Sequence, residues 1–203
     1  MNNYIITLTR QFGSLGRPIA GKLAEMLGIE YYDRDIVERT AKEMGENIKV
    51  ISEQEEKADG NFAWMKIPFG IATSEKQDAI FDIEREVIEK CVSKQSCIVV
   101  GRCADAVLSD RKNAIHVYIY APFEERLRNC VDILKMDEKE ARKTIKEVDK
   151  MRDAYHKRYA GFLPGDPEHK NILIDSSMLG VNGTAKYLAE LISYKFSSEE
   201  GEI

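Results

Sequence analysis

Short apolar runs alternate with longer amphipathic stretches along this chain, and each kind of segment predicts a different element. Tyr4-Ile5-Ile6-Thr7-Leu8 is a brief β-favouring run, and Gly13 and Gly16 after it predict a strand leading into a loop. Pro18 suits a first helical position, Ile19, Ala20, Leu23, Ala24 and Leu27 share a helical face, and Gly28 supplies the stop. Ile29 to Tyr32 predicts a second strand ending at Asp33, with a second helix carried by Ile36, Val37, Thr40, Ala41 and Met44. Ser74 and Gln77 form a capping box ahead of Ile80, Ile83, Val87 and Cys91, which recur at helical spacing. Cys97-Ile98-Val99-Val100 is apolar without alternation, as suits a strand buried on both faces of a parallel sheet. Ala114 to Tyr120 predicts a fourth strand, and Pro122 restarts a helix through Leu127. Asp137 and Glu140 cap a long charged helix reaching Tyr159, Ile172 to Ile174 forms a fifth strand, and Leu188, Leu191 and Ile192 mark a closing helix.

Five strands separated by helical patterns predict an α/β fold on a five-stranded parallel sheet. The 203 residues fit one domain, 1–203. One segment breaks the pattern. From Ser52 to Gly70 an acidic run gives way to NFAWMKIPFG, where aromatics, Gly and Pro leave no period, and a mobile lobe over about 52–70 is expected there.

Composition narrows the partners. Thirty Lys plus Arg oppose thirty-five Asp plus Glu, a formal net charge of -5, the wrong balance for a nucleic-acid coat or a polybasic membrane anchor. A local basic pocket remains compatible with it. No run of about 18 apolar residues occurs, and the first residues lack the basic and apolar regions of a signal peptide. A cytoplasmic protein is expected, with neither nucleic acid nor membrane as partner. Cys91, Cys97, Cys103 and Cys130 lack paired C-x-x-C spacing and read as reduced thiols acting as small hydrophobes, and no metal-ligating cluster is expected.

Ligands of parallel α/β sheets bind beyond the carboxyl ends of the strands. Here those ends carry Thr9 to Arg17, Asp33-Arg34-Asp35, Gly101-Arg102 and Asp175-Ser176-Ser177, a set suited to an anion. The Gly13 to Arg17 turn offers backbone N–H groups and the positive end of a helix dipole to phosphate oxygens. It departs from G-x-x-x-x-G-K-[ST]: counting back from Gly16, Gln11 stands at the first glycine, while Arg17 and Pro18 replace the Lys and the Ser/Thr. Arg17 keeps a permanent, forked charge. Pro18 has no hydroxyl for magnesium.

Taken together, ITLTRQFGSLGR, YYDRD, IVVGRCAD, DKMRDAYHKRYAG and GDPEHKNILIDSSMLG resemble the cytidylate kinase-like proteins, a branch of the P-loop nucleoside monophosphate kinases, over most of the chain. The resemblance implies a P-loop three-layer sandwich with a helical lid over about 137–166 and nucleotide-binding lobes. It implies ATP and Mg2+ as cofactors and transfer of the ATP γ-phosphoryl group to a nucleoside monophosphate or related small phosphorylated acceptor. Carried over residue by residue, Gly13, Ser14, Leu15, Gly16 and Arg17 would cradle the ATP phosphates. Asp33 and Arg39 match the D-S-G-x-x-Y-R element that helps hold the monophosphate. Gly101 and Arg102 match a G-R-D element whose aspartate is Cys103 here, with Asp105 two residues on. Arg126 matches the arginine of A-x-P-E-E-R, and Arg152 and Asp153 match part of the R-D-x-R-D lid element. Asp149 stands where that element has its first arginine, and Arg158 is a candidate to compensate.

The expected catalytic set is therefore Arg17, Arg102, Arg126, Arg152 and Arg158, and the expected substrate contacts are Asp33, Arg39, Arg102, Asp105 and Tyr155. Arginines suit phosphoryl transfer because it needs charge neutralised and groups positioned more than it needs a covalent nucleophile. Magnesium is expected to be held through water and groups such as Ser14 or Asp105. Plainer alternatives stand beside these: a salt bridge for Arg102, a solvated face for the helix bearing Arg152 and Arg158, core packing for Tyr155 and Tyr159, and a structural role for His116. A rival function is a catalytically degenerate nucleotide or phosphate-binding regulatory protein that uses the Trp64 segment for a partner. A Rossmann dinucleotide enzyme is disfavoured by the missing third glycine.

Overall fold

Ile5–Arg10 forms β1, and because its side chains are buried on both faces it becomes the centre of the sheet. The computed structural model describes residues 3–33 and 74–198. After β1 come α1 (Gly16–Leu27), β2 (Glu30–Tyr32), α2 (Ser74–Val92), β3 (Cys97–Val100), the single turn α3 (Ala104–Val107) and β4 (Ala114–Tyr120). The remainder is α4 (Phe123–Asp132), α5 (Glu138–Ala160), a 3-10 turn at Pro167–His169, β5 (Ile172–Asp175) and α6 (Gly180–Ser198). The helix expected over Ile36 to Met44, Arg39, Trp64 and the lobe expected at about 52–70 lie outside the described residues.

The five strands run parallel in the order β2-β3-β1-β4-β5, the α/β architecture that the alternation predicts. β1 runs two residues further than the apolar run, because Thr9 pairs with Tyr118 and Arg10 with Ile119 of β4. Successive strand residues face opposite sides, so Ile6, Leu8, Ile98, Val117 and Ile119 pack with Ile19 and Leu23 of α1 and Leu188 and Ile192 of α6. Ile5, Cys97 and Val99 face the other way, onto Val87, Ile88 and Cys91 of α2. A third cluster joins α4 to α5 through Leu127, Cys130, Ala141, Ile145 and Val148, with Phe12 from the first loop inserted into it. The result is three layers, with the first loop clasped between them at the carboxyl edge of the sheet.

Local signals set the helix ends. Gly28 terminates α1 at φ 64, where its N–H caps carbonyls of the last turn. The Asp137 carboxylate accepts from the Glu140 N–H at 3.1 Å and starts α5, as the spacing predicts. The inner face of α5 is buried along Ala141, Thr144, Ile145, Val148, Tyr155 and His156, so most of the 137–166 segment is a helix docked on the core. No helix among the described residues is long and apolar enough to cross a membrane.

All four cysteines are buried, and none forms a disulfide. Burial raises the thiol pKa of Cys97 to about 12 and of Cys130 to about 11. An aromatic disulfide reagent at pH 8 should therefore label none of them rapidly in the native protein and all four after unfolding. A fast-reacting thiol in the native state would contradict this packing.

Candidate functional site

The loop between β1 and α1 is fixed by contacts that reach it from three elements. Gly13 adopts φ 78 and Leu15 φ 58, so the chain turns left-handed twice before α1 begins. A Cβ on Gly13 would lie 2.8 Å from the Arg126 carbonyl oxygen and 3.0 Å from the Cys130 sulfur, so only glycine fits there. Asn129 of α4 donates to the Gly13 carbonyl at 2.9 Å, and Ser176, just beyond β5, donates to the Ser14 carbonyl at 2.7 Å. The Ser14 hydroxyl, fully buried, donates to the carbonyls of Gln11 and Ile119. These bonds serve the loop's own shape. Leu15 places no capping side chain over the start of α1. The helix dipole and the first N–H groups face a position where an anion fits.

Four arginines gather in front of that loop. Arg17 of α1 pairs with Asp33 at the end of β2, and Arg10 lies 3.8 Å from the same carboxylate. Arg152 reaches from α5 to donate to the Arg10 carbonyl at 2.9 Å, and Arg102 follows β3. Burial would raise the Asp33 pKa, but the charges of Arg10 and Arg17 outweigh it and hold the carboxyl below its usual range. Burial, with repulsion from Arg17 and Arg102, lowers Arg10 to about 10 against the pull of Asp33. Arg152 falls to about 9 through burial and repulsion from Arg10. Burial is the larger cause in both, and the mutual repulsion of the guanidiniums adds to it.

Arg10 is the member that the sequence places in the strand-end set without singling it out. Its side chain runs between Gly16 and Gly101: a Cβ on Gly16 would lie 2.7 Å from the Arg10 Cβ, and one on Gly101 would strike the Arg10 guanidinium. Two glycines, one at the start of α1 and one just after β3, thus clear a channel for one arginine. The only signal in the sequence is an arginine closing an apolar run at a strand end.

Arg102 sits in a strained turn. Gly101, Arg102 and Cys103 have φ of 75, 57 and 50, three left-handed residues in a row, two of them with side chains. Each non-glycine residue held there costs about 1–2 kcal/mol, so the surroundings must enforce it. The Arg102 guanidinium donates to Glu84 at 2.9 Å, and the Tyr155 hydroxyl donates to the other Glu84 oxygen at 2.8 Å. Glu84, buried on α2, is a second site residue that the sequence conceals. Asp105 anchors the far side of the turn. Its carboxylate accepts from His156 Nε2 at 2.9 Å and from the Lys170 ammonium, with side-chain exposure of 1%, 5% and 0% for the three groups. His156 Nδ1 lies 2.9 Å from the Phe162 carbonyl, so both ring nitrogens face acceptors. With both oxygens engaged and no exposure, Asp105 holds the turn and neither touches an acceptor nor holds magnesium, which corrects both expectations.

The other expected residues are placed as follows. Arg126, buried, donates to the Phe12 carbonyl at 3.1 Å and pairs with Asp149, whose other oxygen accepts from the Phe12 N–H at 2.8 Å. That pair braces the loop from behind. Arg158 lies at the surface in a bidentate pair with Asp78 of α2. Tyr155 is packed with Phe81 and Tyr159. His116 is structural, 2.8 Å from the Thr7 hydroxyl, with its pKa lowered by burial. A cavity of about 470 Å³ opens beside the cluster between Arg10, Arg152, Tyr118 and the 163–167 loop. Among the described residues no group of three or more His, Cys, Asp or Glu side chains is placed to hold a metal ion.

A model of the cytidylate kinase-like family matches residues 5–178. Among solved structures, the chain is similar to a protein from Eubacterium ventriosum ATCC 27560 described as uncharacterized, at 26% identity and a TM-score of 0.69 over 94% of this chain and 99% of that one. It is similar to the shikimate kinase of Acinetobacter baumannii, solved in complex with shikimate, at 18% identity and a TM-score of 0.52 over 97% and 95% of the two chains. It is also similar to the shikimate kinase of Bacteroides thetaiotaomicron, at 11% identity and a TM-score of 0.54 over 94% and 98%. Those two kinases share its fold. No curated protein matches the sequence.

Proposed function

The chain belongs to the cytidylate kinase-like family, and from that premise we propose that it is a nucleotide-binding phosphotransferase that moves the ATP γ-phosphoryl group to a nucleoside monophosphate or a related small phosphorylated acceptor. The gathering of Arg10, Arg17, Arg102 and Arg152 around the carboxyl edge of the sheet carries this reading. Guanidiniums at fixed positions neutralise charge spread over phosphate oxygens and need little reorganisation when the reaction occurs. In this reading the Gly13 to Arg17 loop receives the ATP phosphates, Asp33 and Arg102 face the acceptor, and part of the 137–166 segment closes over them to exclude water. Kinases of this class generally use Mg2+. Among the described residues no group of three or more His, Cys, Asp or Glu is placed to hold it, and Pro18 lacks the hydroxyl of the usual motif, so no step is assigned to the metal. A cytoplasmic location belongs to the same proposal.

Incubation with ATP, Mg2+ and each nucleoside monophosphate in turn should release ADP with at least one acceptor, read in a coupled assay. ATP binding without ADP release for any acceptor would replace the kinase reading with that of a nucleotide-binding regulatory protein.

A further inference from the structure

We propose that Glu84 is the positioning residue that aims Arg102 at the acceptor, with Tyr155 fixing the Glu84 carboxylate from the side of α5. The inference rests on the reading that Arg102 faces the acceptor and deepens it.

The place of Glu84 in its helix is the first observation. Val87, Ile88 and Cys91 belong to the buried stripe of α2, and Glu84 lies one turn earlier on the same face, where helical spacing calls for an apolar side chain. It is 1% exposed. A carboxylate costs free energy to bury, and a buried ion pair is often no more stabilising than apolar side chains of the same bulk. Stability alone therefore gives no reason for Glu84, and its role lies in the geometry that it imposes.

That geometry gives Arg102 one direction. Arg102 stands in the left-handed turn after β3, where a residue with a side chain is held against its own preference. Its Nη1 donates to one Glu84 oxygen at 2.9 Å, while the Tyr155 hydroxyl donates to the other at 2.8 Å. Each carboxylate oxygen thus has its own donor, and neither side chain can swing without breaking a buried, charge-assisted hydrogen bond. The guanidinium is tied by one nitrogen. Among the described residues no other side chain bonds to it, and no second carboxylate pairs with it. The charge of Arg102 acts on both Asp33 and Arg10, so the tie holds the guanidinium within reach of the arginine cluster and leaves the rest of its fork for an acceptor oxygen.

Charge and aim predict opposite results. Removing the carboxylate leaves Arg102 uncompensated and by itself strengthens its pull on an anion. Losing the tie lets the guanidinium swing and weakens an acceptor that the rest of the site holds in place.

Calorimetric titration of CMP, UMP, AMP and GMP, with sodium tripolyphosphate as the probe of the β1–α1 loop, reads both effects without requiring turnover. Glu84→Leu should weaken the tightest-binding monophosphate at least about tenfold and leave tripolyphosphate within about threefold. Glu84→Gln keeps an oxygen for the Arg102 Nη1 and turns its amide to the Tyr155 oxygen, so it should hold monophosphate affinity within about threefold of wild type. In an Arg102→Met background Glu84→Leu should change monophosphate affinity no further, which a merely structural role would not give. Equal losses in Glu84→Gln and Glu84→Leu, or unchanged or tighter monophosphate binding by a folded Glu84→Leu protein, overturn the inference and leave the kinase reading in place. If Glu84→Leu does not fold, Tyr155→Phe decides: it frees one Glu84 oxygen and should weaken the monophosphate about two- to fivefold with tripolyphosphate unchanged, and no effect overturns the inference. Monophosphate binding without ADP release removes the kinase reading and leaves Glu84 to the same comparison. No binding of any of the four to the wild-type protein removes the nucleotide acceptor and this inference with it.

Discussion

Asp105→Ala is expected to lower the unfolding free energy by about 3–5 kcal/mol, because it removes the carboxylate from a buried ionic group and leaves its partners uncompensated. The Lys170 ammonium is fully buried and His156 nearly so, and both donate to Asp105. Lys170 also lies over the Phe162 ring at 5.3 Å, and that ring stacks on His169, so the lysine has no open route to water. Urea unfolding followed by circular dichroism measures the loss, and a change under about 1 kcal/mol would show that the lock is not what holds these elements together. Acid gives an independent readout. Burial raises the Asp105 pKa, but the hydrogen bond and charge of His156 and the charge of Lys170 outweigh it and hold the group at about 2. A depressed carboxyl pKa contributes stability that is complete above about pH 4 and is lost as pH falls towards 2, here about 2 kcal/mol. Asp105→Asn should abolish that part of the acid dependence. The same substitution bears on the site, since Asp105 lies in the helical turn that follows the left-handed Arg102 and Cys103. Without its anchor the turn can relax and Arg102 loses its aim, so an active protein should lose acceptor affinity more than affinity for tripolyphosphate.

Strands and most helices are legible in the sequence because burial on two faces demands unbroken apolar runs and burial on one face demands a 3.6-residue period. Cys97–Val100 and Ala114–Tyr120 are bounded in the fold as their runs predict. The site is legible only in part. Gly13, Gly16 and Arg17 announce themselves as glycine and charge beside a helix start. Arg10 reads as the polar end of a strand, and its position is set by two glycines, one of them about ninety residues away along the chain. Glu84 lies in a charged helix and reads as one more solvated residue. It is buried because Arg102 arrives from β3 and Tyr155 from α5, partners 18 and 71 residues away. Asp105 shows the converse error. Its place near a strand end suggests ligand contact, and only its partners, 51 and 65 residues away, turn it inward.

Arg17→Met should weaken tripolyphosphate and ATP binding by roughly 10- to 100-fold, about 1.5–3 kcal/mol, the scale of a charge-assisted hydrogen bond to an ionised partner. Its effect on folding should be small. Arg17 is about one-third exposed, so its pair with Asp33 is screened and contributes no more than about 1 kcal/mol, and Arg10 remains beside the carboxylate. A large loss of binding with a nearly unchanged melting temperature would therefore locate the effect in the site. Arg17→Lys separates charge from shape: a lysine keeps the positive end at the helix start but loses the fork that can meet two phosphate oxygens at once. Affinity for Arg17→Lys should fall between wild type and Arg17→Met. Asp33→Asn should move the other way, because removing the carboxylate that competes for Arg10 and Arg17 leaves both cations to the incoming anion. Equal binding by wild type and Arg17→Met, with both folded, would show that the phosphate does not lie at this loop.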